Sequence, residues 1–412
     1  MSGEAPSGEL KPGALTHRTL LAIVVVVGHA IKHVFNSAMR ALIMPEIKIG
    51  LGLSGSQFGS LLSASQVTSW GTTIGAGYLG DRFSNRSALI LCISLSITGV
   101  SFFLAGNATT YALMFSAMLL VGLGPSLYHP PALGELSRQF PDRRGFAISL
   151  HGMGGNFGEI LGPIIVAGLL VLMTWRDVLQ ASLIPAVIAG LCIWAAMRSI
   201  SSNHPQSASS SAYFSTIKEL LREPVLMFVV VIAATRSAGD SAVTGFLPVY
   251  LREDLAFSAT RVAVYLSLSQ VAGLVTQPVF GHFSDSYGRK VVLLPGVAMV
   301  AFLSLAIAFA DTGPILMLLV VIKGAFSFPL HHMFIAAAMD VAQGHIQSTV
   351  VALIYGAGFL GTFSPYLAGI FVDRFGINSA FLYGGAVSIL ATLMLVPLNL
   401  PRTAKQMESG TG

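Results

Sequence analysis

The sequence predicts an all-α membrane protein: twelve transmembrane helices arranged as two six-helix bundles. Three observations predict it. The 412 residues are 54% hydrophobic and only 10% charged, with a mean hydropathy of +0.75, where a soluble domain carries roughly 25% charged residues. Apolar runs recur along the whole chain, each near the ~20 residues that cross a bilayer core. The second half also repeats the first at a nearly constant offset.

Residues 1–18 are polar and read as a tail. The first apolar run exceeds the roughly 7–15 residues of a signal-peptide core, so it is expected to remain as the first span. Cutting the apolar runs at charged and turn-rich breaks places spans at 19–45, 55–79, 88–106, 110–137, 146–172, 176–197, 223–250, 260–281, 290–310, 314–339, 348–371 and 377–399. The longest polar stretch, 198–222, is Ser-rich and carries Pro205. It reads as a linker between an N-terminal bundle, 19–197, and a C-terminal bundle, 223–399. Residues 400–412 form a second tail.

Lys and Arg set the orientation. With both termini in the cytoplasm, cytoplasmic segments hold fourteen of the 23 basic residues and the opposite side five; Lys32, Arg40, Arg236 and Lys323 fall within spans. This placement accounts for the basic pI near 9.3 without nucleic acid. Cys92 and Cys192 both lie in apolar runs, so no disulfide framework or zinc motif is expected.

The repeat is legible residue by residue. A shift of 204 brings Gly77-Tyr-Leu-Gly-Asp81-Arg82 onto Gly281-His-Phe-Ser-Asp285-Ser286, Lys32 onto Arg236, and Asn36 onto Asp240; a shift of 202 brings His129 onto His331 and Pro163 onto Pro365. Duplicated bundles that bind substrate between them near the midplane are a transporter architecture. The stretch Val26–Pro45 fits it. His29, Lys32, His33, Asn36 and Arg40 fall within an arc of about 100° on one helix. A membrane helix keeps such a face only toward protein or an aqueous cavity.

Gly77 to Arg86 after the second span, and Gly281 to Lys290 after the eighth, resemble motif A of the major facilitator superfamily, roughly G-x-x-x-D-R-x-G-R-[KR]. Ser84 stands in the first copy where a Gly is usual, and Ser286 in the second where Arg is usual. Gly158-Glu-Ile-Leu-Gly162-Pro163 is similar to the core of motif C, associated with antiporters. His129-Pro130-Pro131-Ala132, Phe140 to Gly145 and Gly154 to Gly158 resemble the fosmidomycin-resistance-protein branch of that superfamily. The resemblance covers about 19–399. It implies alternating access, and it implies that the first, fourth, seventh and tenth spans line a central cavity. It also implies that Gly77, Asp81, Arg82, Asp285 and Arg289 latch the bundles on the cytoplasmic side. Locally, Gly77 permits a tight turn and Asp81 can cap a helix N-terminus.

Within that frame Lys32, His33, Asn36, His129, Arg236, Lys323 and His331 are expected to contact substrate. An intramembrane cation costs roughly +2.5 to +3.5 kcal/mol on insertion scales. Arg40, nearer a helix end, is expected to snorkel. Arg236 pairs with Asp240 one turn on; Lys32 is left over, so the cavity is expected to be net positive and to take an organic anion, with the Arg236 guanidinium suited to two oxygens at once. Asp240 and Glu159 are the candidate proton-coupling carboxylates, Asp240 preferred; Glu159 reads equally as a hydrogen-bonded structural carboxyl. Glu135, nearer the cytoplasmic end, reads as solvated, and His151 as a hydrogen-bonded packing residue. His29 and His33 have metal-ligand spacing, but no Cys or second carboxylate accompanies them, so no metal site is assigned. Gln66, Gln270 and Gln277 read as interhelical glue.

The expected function is secondary transport: proton-coupled antiport exporting a small organic compound or drug, the export implied by the resemblance and the anionic character by the positive cavity. The alternative is proton-coupled uptake of an organic or inorganic anion, with metal-ion transport behind both. No P-loop, nucleotide domain, cofactor or nucleophile–base constellation is found, so no enzymatic role is expected. The partners are the substrate, protons and the lipid bilayer. The protein is expected to act as a monomer in the bacterial inner membrane.

Overall fold

The structure, a computed structural model, describes residues 12–140, 143–198, 218, 220–310, 312–342, 358–359 and 361–401. Those residues form helices and no strand. α1 (Pro12–Ala38) passes through a π turn at Met39–Ile43 into α2 (Met44–Leu51). Gly52, at φ 60°, ends α2 in the left-handed region that a side chain resists. A capping box follows, in which Ser54 and Gln57 satisfy each other's backbone N–H and start α3 (Gly55–Arg82). After α4 (Ser87–Asn107) the chain returns as α5 (Tyr111–Val121), α6 (Leu123–Ser126) and α7 (His129–Gln139), one helix broken where Gly122, Pro125, Pro130 and Pro131 interrupt the hydrogen-bond ladder. α8 (Arg144–Leu169), α9 (Trp175–Ala181) and α10 (Leu183–Met197) complete the first half. The second half comprises α11 (Pro224–Val249), α12 (Ala259–Tyr287), α13 (Arg289–Ala308), α14 (Pro314–Val341), α15 (Ser364–Phe375) and α16 (Asn378–Leu395).

Among the described residues nine stretches are long and apolar enough to cross a membrane, from Arg18–Leu51 to Asn378–Leu395. α3 and α8, expected as the second and fifth spans, are helices of 28 and 26 residues, long enough at 1.5 Å per residue but rich in Gly and Ser. Of the expected eleventh span, 348–371, residues 348–357 and 360 lie outside the described residues, as do most of the linker and both tails.

Helices before residue 198 pack chiefly on one another, α1 on α8 and α4 on α10. Those after 223 do the same, α12 on α14 and α13 on α16. Across the two sets, α3 packs on α15 and α8 on α12. The α1–α8 seam is tight because glycines repeat every fourth residue on the α8 face: a Cβ at Gly154 would come within 2.6 Å of the Val26 carbonyl oxygen, and Gly158 and Gly162 sit against Ala30 and Val34 in the same way.

The apolar core divides unevenly. At the face carrying the 51–55 and 254–259 connections, one cluster runs through both bundles, with Phe58 of α3 edge-on to Phe246 of α11. At the opposite face each bundle has its own cluster, one around Leu21, Leu91 and Tyr128, the other around Leu226, Val297 and Phe334. The shared face is also tied by polar contacts. Lys48 pairs with Glu253 at 2.6 Å, and Glu46 with Arg252. The Asp373 carboxylate accepts from the backbone N–H of Gly55 and, at 2.9 Å, of Ser56, at the N-terminus of α3 where the helix dipole favours an anion. Burial pushes the Asp373 carboxyl up, but the hydrogen bonds from Ser56 and Gly55 outweigh it and hold the group below the usual aspartate range.

Several expectations need correction. Glu135 is fully buried, not solvated, and is bound by Arg138 at 2.7 Å and by Gln139. Proximity to a helix end did not expose it because α7 packs against α3 and α8. Arg40 does not simply snorkel: exposed as it is, it reaches back to Glu159. Apart from these corrections, Arg289 bonds Asp285 and, at 2.6 Å, Asp340, both within the C-terminal half. Gly77, Asp81 and Arg82 sit in the last turns of α3, so Asp81 stands at a helix C-terminus; their side chains lie outside those described.

Candidate functional site

The polar face of α1 meets α7 and α8 around one lysine. Lys32, 3% exposed, places Nζ 2.6 Å from His129 Nε2 and 3.3 Å from His33 Nε2. Both imidazoles accept from the ammonium, which fixes each lone pair on Nε2. The other nitrogen of His33, Nδ1, donates to Glu159 Oε1 at 2.6 Å. Glu159 also takes Arg40 Nη2 on both oxygens at 2.8 Å, and Gln270 Nε2 from α12 at 3.3 Å. Glu159 is therefore held from both bundles at once. Nearby, Ser267 of α12 donates to the Ile160 carbonyl of α8 at 3.0 Å.

Beside this cluster His29 donates from Nδ1 to the His151 carbonyl at 2.7 Å and stacks on the His151 ring, centroids 3.7 Å apart. The His151 ring is buried, and neither of its nitrogens has a hydrogen-bond partner among the described residues. The expectation of a hydrogen-bonded packing histidine is thus half right: it packs, but by ring stacking.

The C-terminal counterpart is built on α11 and α14. Lys323 Nζ donates to Asp240 Oδ1 at 2.5 Å, Ser327 Oγ donates to the same oxygen at 2.8 Å, and Arg236 Nη2 reaches Asp240 Oδ2 at 3.3 Å. Arg236 makes its shorter bond, 2.6 Å, to the Ser327 carbonyl. Arg236 is 5% exposed and Lys323 3%. The expected Arg236–Asp240 pair exists, but Lys323 is the nearer cation. Periodicity could not show this, because Lys323 arrives from another helix 83 residues later.

Of the expected substrate residues, the fold brings Lys32, His33 and His129 together in one half and Arg236 and Lys323 in the other. His331 follows Lys323 and Ser327 on the same face of α14, its ring 5.6 Å from His332. Asn36 is half-buried and makes no hydrogen bond among the described residues. Gln277 bonds His332 at 3.1 Å. Sequence reasoning gave no bonding role to Ser327 or Arg40; both lie on the same helical faces as named site residues.

A family model, Major Facilitator Superfamily, matches residues 30–275 and 229–411. The chain belongs to the Major Facilitator Superfamily. Its members are transporters and not enzymes, and among relatives of this facilitator is the Fosmidomycin resistance protein of Escherichia coli (strain K12), 22% identical over 409 residues, covering 95% of this chain and 97% of the relative. The Probable sulfoacetate transporter SauU of Cupriavidus necator is 24% identical over 385 residues, 86% of this chain and 88% of the relative. Multidrug resistance protein 2 of Bacillus subtilis (strain 168) is 26% identical over 360 residues, 84% and 88%. A crystal structure of a D-xylose-proton symporter superposes with TM-score 0.75 at 16% identity, over 94% of this chain and 99% of that one. The nucleoside transporter NupG does so with TM-score 0.70 at 14% identity, over 92% and 98%. The facilitator fold thus stands, and with it an integral membrane protein that moves a small molecule through a bilayer.

Proposed function

We propose that this facilitator carries a small organic anion by alternating access, and that in the cell it exports it. One observation carries the anion: the two clusters hold four cations, Lys32, Arg40, Arg236 and Lys323, against two carboxylates, Glu159 and Asp240. The balance is positive where a solute would be held, and a net positive buried site exists only if an anion offsets its cost. The names of relatives, resistance proteins and a sulfoacetate transporter, agree with an acidic substrate and with export. On this reading the chain works as a monomer in the bacterial inner membrane with both termini in the cytoplasm, an orientation the Lys and Arg distribution supports. The face tied by Lys48–Glu253 and Asp373 is then the outer one, closed. Motif A, including Gly77, Asp81, Arg82 and Asp285, would act when the opposite side closes.

Asp240 is proposed as the proton site, and Glu159 as the tie between bundles. The sign of coupling favours a second reading over simple exchange. Asp240 occupies the cations a substrate needs, so an anion competes with the carboxylate and not with the proton. A proton on Asp240 frees Lys323 and Arg236, and by linkage each ligand then favours the other. That is the local arrangement of symport, the reading in which the protein takes up an anion. Proton-for-anion antiport requires the release step to come from the conformational change instead.

One experiment separates the two. Purified protein is reconstituted in liposomes with a pH dye trapped inside, and a phosphonate, a sulfonate or a carboxylate is added outside. Antiport makes the lumen alkaline and symport makes it acid; Asp240→Asn abolishes either signal. A response to cationic solutes alone would sink the anion reading.

A further inference from the structure

We propose that His29, His33 and His129 form a tridentate site for a divalent first-row transition metal ion, which competes with the Lys32 ammonium for the same imidazole lone pairs. The inference does not rest on the transport reading. The ligand atoms of the three histidines lie within 4.8 Å of one another. Two nitrogens on a shared tetrahedral ion stand about 3.4 Å apart, from metal–nitrogen distances of about 2.0–2.1 Å. Closing the site therefore takes movements of up to about 1.4 Å between ligand nitrogens.

The second observation is how the rings are oriented. A metal-bound histidine almost always donates its other ring N–H to a carboxylate or a backbone carbonyl, which fixes the tautomer and raises ligand basicity. His33 donates Nδ1 to Glu159 at 2.6 Å, and His29 donates Nδ1 to the His151 carbonyl at 2.7 Å. In both rings the lone pair is thereby left on Nε2. His29 Nε2 is buried with no hydrogen-bond partner among the described residues. A buried imidazole nitrogen left orphaned loses about 1–3 kcal/mol in other proteins, so the orphan calls for a ligand. His129 supplies the third Nε2, at 2.6 Å from Lys32 Nζ.

Lys32 explains why the three lone pairs tolerate one another without a metal. Its ammonium sits against two of them, and among the described residues it bonds no carboxylate. The position is thus already one for a cation bound by neutral imidazoles. An ion with imidazole preference, Zn²⁺, Co²⁺, Ni²⁺ or Cu²⁺, takes all three nitrogens once Lys32 swings aside. His33 and His129 are partly exposed, the His33 side chain by 20%, so the ion has a route in and a fourth coordination position remains for water or an anionic oxygen.

The test uses the full-length protein purified without a histidine tag and titrated with Co²⁺, whose tetrahedral complexes absorb in the visible, with Zn²⁺ as competitor. The expected result is one Co²⁺ per chain, displaced by Zn²⁺. His33→Gln and His129→Gln, each confirmed monodisperse by gel filtration, lose it. Glu159→Gln weakens it about tenfold, as loss of a ligand-orienting partner does. Lys32→Met tightens it by about tenfold or more, since a neighbouring positive charge is removed. Lys32→Met gains binding, so it cannot be mistaken for misfolding. Wild-type protein that binds no Co²⁺ overturns the proposal whatever the variants do, as does binding that survives the His33→Gln/His129→Gln double change or that weakens in Lys32→Met.

Discussion

Replacing Asp240 by Asn tests the charge logic of the C-terminal cluster most directly. Asp240 holds Lys323 at 2.5 Å, Ser327 at 2.8 Å and Arg236 at 3.3 Å. Only the Ser327 contact has ordinary hydrogen-bond length; Lys323 is closer and Arg236 farther, and only the lysine contact is both short and charged on both sides. A hydrogen bond to a charged group contributes about 1.5–3 kcal/mol, and making it neutral removes about half. The internal competitor for the cations therefore weakens by roughly 0.8–1.5 kcal/mol, which by about 1.36 kcal/mol per decade is roughly a four- to twelvefold gain in affinity for an added anion. Equilibrium binding of a radiolabelled phosphonate to purified protein reads this out at acid and alkaline pH. Wild type is expected to bind more tightly in acid, where Asp240 takes a proton and lets go. Asp240→Asn is expected to bind tightly at both pH values and to lose coupled proton movement. Weaker anion binding in the variant, or an unchanged pH dependence, would refute the reasoning and make Asp240 a structural carboxylate.

Other outcomes follow from the packing and from the closed face. Gly158→Leu should destabilise the protein by about 1–3 kcal/mol or more, the cost of overpacking, because the new side chain meets the Ala30 carbonyl and His33; thermal unfolding in detergent measures it. Lys48→Glu should open the shared face and Lys48→Glu with Glu253→Lys should close it again, read by spin-label distances between α2 and α11; the pair is partly exposed, so the shift corresponds to no more than about 1 kcal/mol. Asp373 is held below the ordinary aspartate range, so its cap on α3 is fully present above that range and is lost as pH falls through the lowered value. Spin labels on α3 and α15 should separate in strong acid, and in Asp373→Asn the separation should no longer depend on pH.

The all-α membrane fold was legible because membrane burial writes itself into composition: long apolar runs and a repeated loop motif. What escaped was whatever depends on which helix lies across the cavity. Arg236 and Asp240 pair along one helix and could be read off. Lys323 bonds Asp240 from α14, and Gln270 bonds Glu159 from α12, and a sequence carries no local mark of either. Glu135 was misread for the same reason, its burial being set by neighbouring helices and not by its distance from a helix end. The third and fourth histidines around Lys32 were each visible, but not as neighbours.

The repeat explains why the two halves hold their cations differently. It superposes Lys32 on Arg236 and Asn36 on Asp240. The N-terminal half therefore has a cation at the shared position and an amide where its twin has a carboxylate. With no carboxylate one turn away, Lys32 is bound by the neutral rings of His33 and His129. The missing negative charge sits farther up the bundle, on Glu159, and there it is held by Arg40 and by Gln270 from the other half. One half thus carries its countercharge within a single bundle, where a substrate can displace it. The other carries its countercharge at the interface, where only relative movement of the bundles can release it. Substrate displacement in one cluster and bundle movement in the other are the two events that alternating access has to join. Severing the Gln270–Glu159 contact, by Gln270→Leu, should therefore slow transport more than it weakens anion binding, and an equal loss of both would show that the two clusters act as one site.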